Sequence, residues 1–187
     1  MFSTAALGLF LAQASPTPAP APAPPVAAPS PTVPRLEKQA IGESGCAVYG
    51  PKGIVISGPQ ASEDGSPVWT GAVKVDAHEF GLIGVRFATP FPNASPAELE
   101  ALLIGYLDFI KAQAQITGAV GVGRGHTLDA LPGAVGVIDY WKDAAGDEWA
   151  VKGWVDARHL VVLYIAGPGA YPVFNLQQLY LDGLRCS

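Results

Sequence analysis

The chain contains two cysteines, Cys46 near the start of its charged part and Cys186 next to the C-terminus. Two cysteines allow one intramolecular pairing, and a disulfide between them would join the beginning of the fold to its end. In the chain-entropy model, closing so long a loop stabilises a fold by about 4–5 kcal/mol, and often less in practice. The alternative is a pair of free thiols. We predict the Cys46–Cys186 disulfide, which favours an oxidising compartment outside the cytoplasm.

The first 34 residues carry no charged side chain. Residues 5–11 form an apolar run followed by Ala12-Gln13-Ala14, an A-x-A pattern of the kind that signal peptidase cuts. This predicts a signal peptide over residues 1–14, although no Lys or Arg precedes the apolar run. The alternative is a cytosolic protein with an apolar N-terminus. The apolar run is too short for a transmembrane helix, which needs roughly 20 residues.

Residues 15–34 contain nine prolines among Ser, Thr, Ala and Val. Such a segment cannot bury enough apolar surface to fold, and proline favours the polyproline II conformation. We predict a disordered, semi-rigid linker that could extend roughly 60 Å. The remaining residues, 35–187, are predicted to form a single domain. The 11 Lys and Arg are dispersed and the net charge is −5, which argues against nucleic acid as a partner.

The domain sequence predicts about six strands and two helices. Strands are expected at 52–57, 67–76, 79–88, 134–141, 148–156 and 159–166, and the short connections favour antiparallel pairing. A long helix is expected from Ser95, which starts an S-x-x-E capping box, to a stop at Gly118. Its apolar face comprises Leu99, Leu102, Leu103, Tyr106, Leu107, Ile110 and Ala114. A second helix is expected from about Pro172 to Gly183. The predicted class is α+β, an antiparallel sheet of about six strands with a long helix and a C-terminal helix packed on it.

The order of these elements resembles the PsbP-like family over about residues 45–187. The resemblance also rests on "LPGAVGVIDYW" (131–141), followed by "DEWAVKGWVDARHLVVLYIAGP" (147–168) and the closing helix. It implies an α+β domain of the kind found in small exported bacterial proteins. Most members of that family are non-enzymatic binding or assembly factors, so the resemblance implies such a role here.

Two glycine-containing stretches invite a catalytic interpretation, and neither supports one. "GAVGVGRGHTL" (118–128) has His126 where a dinucleotide-binding fingerprint needs glycine, and it follows a helix instead of a strand. We interpret it as a corner that leads into a strand. "GESGC" (42–46) resembles a nucleophile elbow but ends in Cys46. We find no catalytic residues and expect no enzymatic activity, although a hydrolase assembled from distant residues remains an alternative.

The three histidines are the candidate metal ligands. His78, His126 and His159 could hold copper or zinc if the fold brings them together. No H-x-H or H-x₃-H spacing supports this, so our main prediction is a protein without a cofactor. A metal-binding (Cu or Zn) envelope protein is the alternative.

Aromatic residues concentrate in the last three predicted strands. We expect most to pack in the core, but Tyr140, Trp154 and Tyr164 could share one exposed face and bind a partner. The leading hypothesis is an exported bacterial envelope domain in the periplasm, the cell envelope or the medium. It would act as a non-enzymatic binding or assembly-accessory module that is tethered by its proline-rich spacer, and its partner would be a protein or another envelope component.

Overall fold

The computed structural model describes residues 35–169 and 179–187. The predicted signal peptide (1–14) and linker (15–34) lie outside the described residues, as does most of the predicted C-terminal helix. The described elements are β1 (Leu36–Ala40), β2 (Cys46–Pro51), β3 (Val55–Ala61), β4 (Pro67–Val75), β5 (His78–Arg86), α1 (Pro96–Gln113), β6 (Ile116–Ala119), β7 (Gly123–His126), β8 (Val135–Asp143), β9 (Glu148–Val155), β10 (His159–Gly167) and β11 (Leu184–Cys186).

The main sheet is antiparallel and contains eight of the described strands, in the order β3-β4-β5-β10-β9-β8, with β6 and β7 both paired to the outer side of β8. The predicted meander is confirmed: β8, β9 and β10 follow one another with short turns. The hairpin of β4 and β5 is also confirmed. It closes at Asp76-Ala77, where Asp76 has φ +55°. A short polar residue such as Asp tolerates this left-handed conformation in a tight turn.

The prediction of about six strands was too low, because the additional strands have weak sequence signals. β7 and the end of β6 lie in the glycine-rich stretch 118–128, which pairs with β8 and is not only a corner. β3 does not end at Gly58-Pro59 but continues past it to Ala61, with a register shift between Ser57 and Gln60. Proline and glycine are usual at the edge of a sheet or at a bulge, and β3 is an edge strand.

Helix α1 begins as the sequence predicts and ends earlier than predicted. Ser95 is the N-cap, Pro96 occupies the first turn, and Ser95 and Glu98 form the reciprocal capping box. The helix ends at Gln113 instead of Gly118, because Gln115 adopts φ +52° and the chain turns directly into β6. Among the described residues, no helix combines the length and hydropathy needed to span a bilayer.

The main sheet has an apolar core on each face. On one face, Leu99, Leu103 and Leu107 of α1 pack against the sheet. Gly153 of β9 lies directly beneath Leu103, where a Cβ would stand 2.5 Å from Leu103 Cδ1. The absence of a side chain at Gly153 therefore allows Leu103 of α1 to approach the backbone of the sheet closely.

The opposite face is covered by a second, three-stranded sheet in the order β1-β2-β11, together with the turn that precedes β11. Residues 179–181 of that turn are helical, but Leu184–Cys186, after the predicted helix end at Gly183, form a strand. Tyr180 donates a hydrogen bond of 2.8 Å to the carbonyl of Gly81 on β5, and Leu181 is buried in the core. The chain end is thus packed firmly on the main sheet.

Candidate functional site

The three histidines predicted as metal ligands lie in different parts of the fold. His78 starts β5, and its Nε2 lies 3.0 Å from the carbonyl oxygen of Pro168. His159 is paired with Arg86 at the other end of β5, about 27 Å away at roughly 3.4 Å per residue. His126 lies on β7, three strand spacings or about 14 Å from β10. Because antiparallel pairing places the starts of β5 and β10 at opposite ends of the sheet, the described structure does not join the three histidines in one site.

The alternative that Tyr140, Trp154 and Tyr164 share one exposed face is not realised either. Trp154 is 1% exposed, and its indole Nε1 donates a hydrogen bond of 2.8 Å to the carbonyl of Leu181. Tyr140 lies on the same face as Trp154, but Tyr164 lies on the other face, stacked on Trp149 with ring centroids 5.0 Å apart. The turn before β11, which the sequence could not place, covers Trp154.

Tyr164 is half-buried instead of being presented to a partner. Its hydroxyl donates a hydrogen bond of 2.9 Å to Glu79 Oε1. Burial raises the pKa of Tyr164, and the neighbouring Glu79 carboxylate raises it further. The side chain therefore stays neutral and acts as a hydrogen-bond donor.

An exposed apolar region does occur on the α1 side of the main sheet. α1 contacts chiefly β6, β8 and β9, so the half of the sheet made by β3, β4, β5 and β10 lies beside the helix. Val68, Val85 and Leu160 form one row across three neighbouring strands of this half. They make the floor of a groove of about 610 Å³ between α1 and the β3–β4 connection.

One wall of the groove is an apolar stripe along α1. Leu102, Tyr106 and Phe109 follow the i, i+4, i+7 spacing of one helix side. Phe109 is 57% exposed and Leu102 39% exposed, although both are large and apolar. A second hollow, of about 430 Å³, continues past Leu102 to Phe91, which contacts Phe87 edge to face at 5.0 Å. We call the surface formed by Phe87, Phe91, Leu102, Tyr106 and Phe109 the α1 groove.

The charged residues that line the α1 groove are all acidic among the described residues: Glu63, Asp64 and Glu98. Hydrogen bonds from Ser62 and Ser66 lower the pKa of Asp64, and hydrogen bonds from the backbone and side chain of Ser95 lower the pKa of Glu98. Both carboxyl groups are therefore ionised at neutral pH. The groove combines an apolar floor with a negative rim.

The apolar helix face predicted from the sequence includes Leu102 and Tyr106 but not Phe109. The sequence nevertheless contains a signal for this exposed surface. The apolar residues of α1 extend round more of the helix than one sheet contact can bury. Leu99, Leu103 and Leu107 fill that contact, so Leu102 and Phe109 are left at its margin.

A second cluster surrounds the disulfide. The predicted Cys46–Cys186 bond is confirmed, and it joins residues that face each other directly in the β2–β11 pair. A ring nitrogen of His159 and the two sulfur atoms all lie within 4.8 Å of one another. Among the described residues, this is where three potential metal-ligating side chains come together. His159 was predicted as a candidate ligand, but the two cysteines were predicted only as a disulfide.

Asp156 orients the imidazole of His159. Its Oδ2 lies 3.2 Å from His159 Nδ1, and its Oδ1 accepts hydrogen bonds from the backbone N–H groups of Arg158 and His159 at 2.7 and 2.6 Å. Burial acts to raise the pKa of Asp156, but these hydrogen bonds outweigh it and hold the pKa below its usual value. The carboxylate is thus ionised and fixed beside the ring.

The cluster opens to solvent on one side. A cleft of about 380 Å³ is lined by Ser44, Gly45, Arg86, Arg158, His159 and Ser187, among others. Cys46 is 3% exposed, whereas Cys186 is half-buried. Cys186 is therefore the more accessible of the two cysteines.

Comparison with known proteins supports the fold. No protein family matches this sequence, and no curated protein does. Among solved structures, cyanobacterial PsbP (CyanoP) from Synechocystis sp. PCC 6803 superposes with a TM-score of 0.56 at 8% sequence identity, covering 87% of this chain and 99% of that one. An uncharacterised protein of Mycobacterium smegmatis (the Rv0999 ortholog) gives a TM-score of only 0.32 at 14% identity, covering 65% of this chain and 55% of that one.

The architecture is therefore that of an α+β domain in which one long helix covers half of an antiparallel sheet. Its fold is PsbP-like, in agreement with the resemblance seen in the sequence.

Proposed function

We propose that this protein is an exported envelope domain that binds a partner protein in the α1 groove and acts as a non-enzymatic accessory module. The observation that carries the proposal is the concave surface beside α1, where Phe109 and Leu102 stand exposed next to an apolar floor. Exposed aromatic and aliphatic side chains that line a concave surface are typical of a binding site.

The charge of the rim supports a partner of opposite charge. Glu63, Asp64 and Glu98 surround the apolar floor, so the groove suits a segment in which apolar residues are flanked by Lys or Arg. Aromatic residues such as Phe109 and Tyr106 are the residue types that contribute most to binding at protein interfaces. A cationic apolar segment of an envelope protein is the occupant that this surface favours.

Export is the second part of the proposal. The Cys46–Cys186 disulfide is typical of an oxidising compartment. In this proposal residues 1–14 direct export and residues 15–34 tether the domain at a distance from its anchor point. Determination of the N-terminus of the protein recovered from the envelope fraction tests this part, with cleavage after Ala14 expected. Recovery of the intact chain from the cytosol would contradict it.

The groove is tested by site-specific crosslinking followed by a binding measurement. A photo-crosslinking residue at position 109 should capture a partner from envelope extracts, whereas the same residue at position 120 should not. Val120 is also apolar and 77% exposed, but it does not line the groove, so it is a matched control.

The captured protein is then purified and its affinity for the full chain is measured. Phe109→Asp should weaken binding at least tenfold, because the side chain loses apolar contact and adds a negative charge beneath the rim. Val120→Asp should leave the affinity unchanged. Glu63→Lys should slow association and reduce its dependence on salt. Equal affinities for the Phe109→Asp and Val120→Asp variants would exclude the α1 groove as the binding site.

A further inference from the structure

The Cys46–Cys186 pair and His159 form a set of ligands that suits a thiophilic metal ion once the disulfide is reduced. In a tetrahedral zinc site, with Zn–S of about 2.3 Å and Zn–N of about 2.0 Å, neighbouring ligand atoms lie about 3.3–3.8 Å apart. The sulfur atoms and the His159 ring nitrogen already lie within 4.8 Å of one another. Small side-chain rotations after reduction would bring all three to these distances.

We propose that reduction converts the disulfide into a zinc site with Cys46, Cys186 and His159 as ligands and the fourth position open to the cleft. Reduction of the disulfide consumes two electrons and two protons, which a dithiol reductant supplies while it becomes a disulfide. One thiolate of the reductant attacks Cys186 Sγ, and Cys46 Sγ leaves. The second thiol of the reductant then resolves the mixed disulfide. Binding of Zn²⁺ to the two thiols releases two protons.

The surroundings of the cluster support a metal site. Asp156 lies against His159 Nδ1 at 3.2 Å, which leaves Nε2 as the ring nitrogen with a free lone pair. A carboxylate behind a histidine is the usual arrangement around metal-bound imidazoles.

The cysteines stay close together without the S–S bond, because the chain end is fixed by other contacts. The backbone N–H of Ser187 donates to the carbonyl of Gly45 at 3.0 Å, next to the disulfide. Leu184 is 1% exposed, and Lys152 forms an ion pair of 2.6 Å with Asp182. β11 is therefore anchored on both sides of Cys186.

The test is a cobalt titration of the full chain under anaerobic conditions, with Co²⁺ as the spectroscopic probe for Zn²⁺. Reduced protein should develop a thiolate-to-cobalt charge-transfer band that saturates at one ion per chain and disappears when Zn²⁺ is added. Oxidised protein should show no band. Asp156→Asn should weaken binding by about 10- to 100-fold, as expected for a residue that orients a ligand.

His159→Gln should weaken cobalt binding at least tenfold, whereas His78→Gln, at a distant histidine, should leave it unchanged. Near-ultraviolet circular dichroism of the reduced protein reports whether the fold persists. Three results would overturn the proposal: no charge-transfer band in folded, reduced protein; equal affinities of wild type and His159→Gln; or loss of the near-ultraviolet signal on reduction, because the site requires the paired β2 and β11. None of these results bears on the α1 groove.

Discussion

Lys111 and Asp139 form the buried ion pair that attaches the C-terminal end of α1 to the main sheet. Lys111 Nζ lies 2.8 Å from Asp139 Oδ2, and the Asp139 side chain is 0% exposed. Burial acts to lower the pKa of Lys111, but its hydrogen bonds and charge interactions with Asp139 and Asp108 outweigh this and raise the pKa. The lysine is therefore charged throughout the physiological pH range.

Lys111→Met should lower the free energy of unfolding by about 3–5 kcal/mol, because it leaves the Asp139 carboxylate buried without its counter-charge. Asp108→Asn is the matched control. Asp108 also contacts Lys111, at 3.2 Å, but it is 63% exposed and should contribute less than about 1 kcal/mol. Urea unfolding measures both values. In the double variant Lys111→Met/Asp139→Leu most of the stability should return, and equal losses in the two single variants would contradict the assignment.

His126 makes stability depend on pH. Burial lowers the pKa of His126, and the charge of Lys152 lowers it further, while Asp182 acts in the opposite direction. Since the folded protein binds this proton less tightly than the unfolded chain, the stabilisation is complete above the unfolded pKa of about 6.5 and is lost as the pH falls towards the folded value.

The difference in unfolding free energy between wild type and His126→Gln should therefore change between pH 7.5 and pH 5, with the wild type losing more stability on acidification. Chemical denaturation at several pH values measures this difference. If the difference between wild type and His126→Gln does not depend on pH, His126 has the same pKa in the folded and unfolded states, which contradicts the prediction.

At the scale of elements, the sequence predicts best where local chemistry decides the structure. The capping box at Ser95 and the short turns of the meander depend on neighbouring residues, so they could be recognised from the chain alone. β6 and β7 are short and rich in glycine, and they exist because β8 offers them an edge for pairing. β11 is three residues long and depends on β2, which lies some 140 residues earlier.

The same distinction applies to the candidate site. The disulfide could be predicted because two cysteines allow one pairing. The α1 groove could not, because it depends on which half of the sheet the helix covers. The position of α1 is in turn set by contacts such as Gly153 beneath Leu103, which are distant in sequence.

Gly153→Ala should lower the free energy of unfolding by about 1–3 kcal/mol, because the new methyl group would overlap Leu103 Cδ1, 2.5 Å away. Leu103→Ala should cost about 2–5 kcal/mol on its own. The double variant should cost less than the sum, because the smaller side chain at position 103 accommodates the added methyl group. Chemical denaturation of the four proteins gives the coupling energy. Strict additivity would mean that α1 does not rest on Gly153.

At the scale of the whole molecule, α1, the main sheet and the small sheet form three layers, and they are joined mainly by residues that are distant in sequence. α1 covers part of one face of the main sheet, and the small sheet covers the other face. The small sheet is built from both ends of the described chain, so its formation requires the chain to close on itself. Loop closure of this kind carries an entropic cost that the disulfide reduces.

Reduction of Cys46–Cys186, a crosslink over 140 residues, should lower the free energy of unfolding by up to about 5 kcal/mol in the chain-entropy model. The loss should appear as a lower Tm with the folded state retained at 25 °C. The hydrogen bonds Trp154–Leu181, Tyr180–Gly81 and Lys152–Asp182 still hold the chain end on the main sheet. Thermal unfolding with and without reductant measures this change in Tm. The Cys46→Ala/Cys186→Ala variant controls for effects of the reductant, and its Tm should match that of the reduced protein without metal. If instead the variant keeps the Tm of the oxidised protein, the packed turn before β11 and not the disulfide closes the fold.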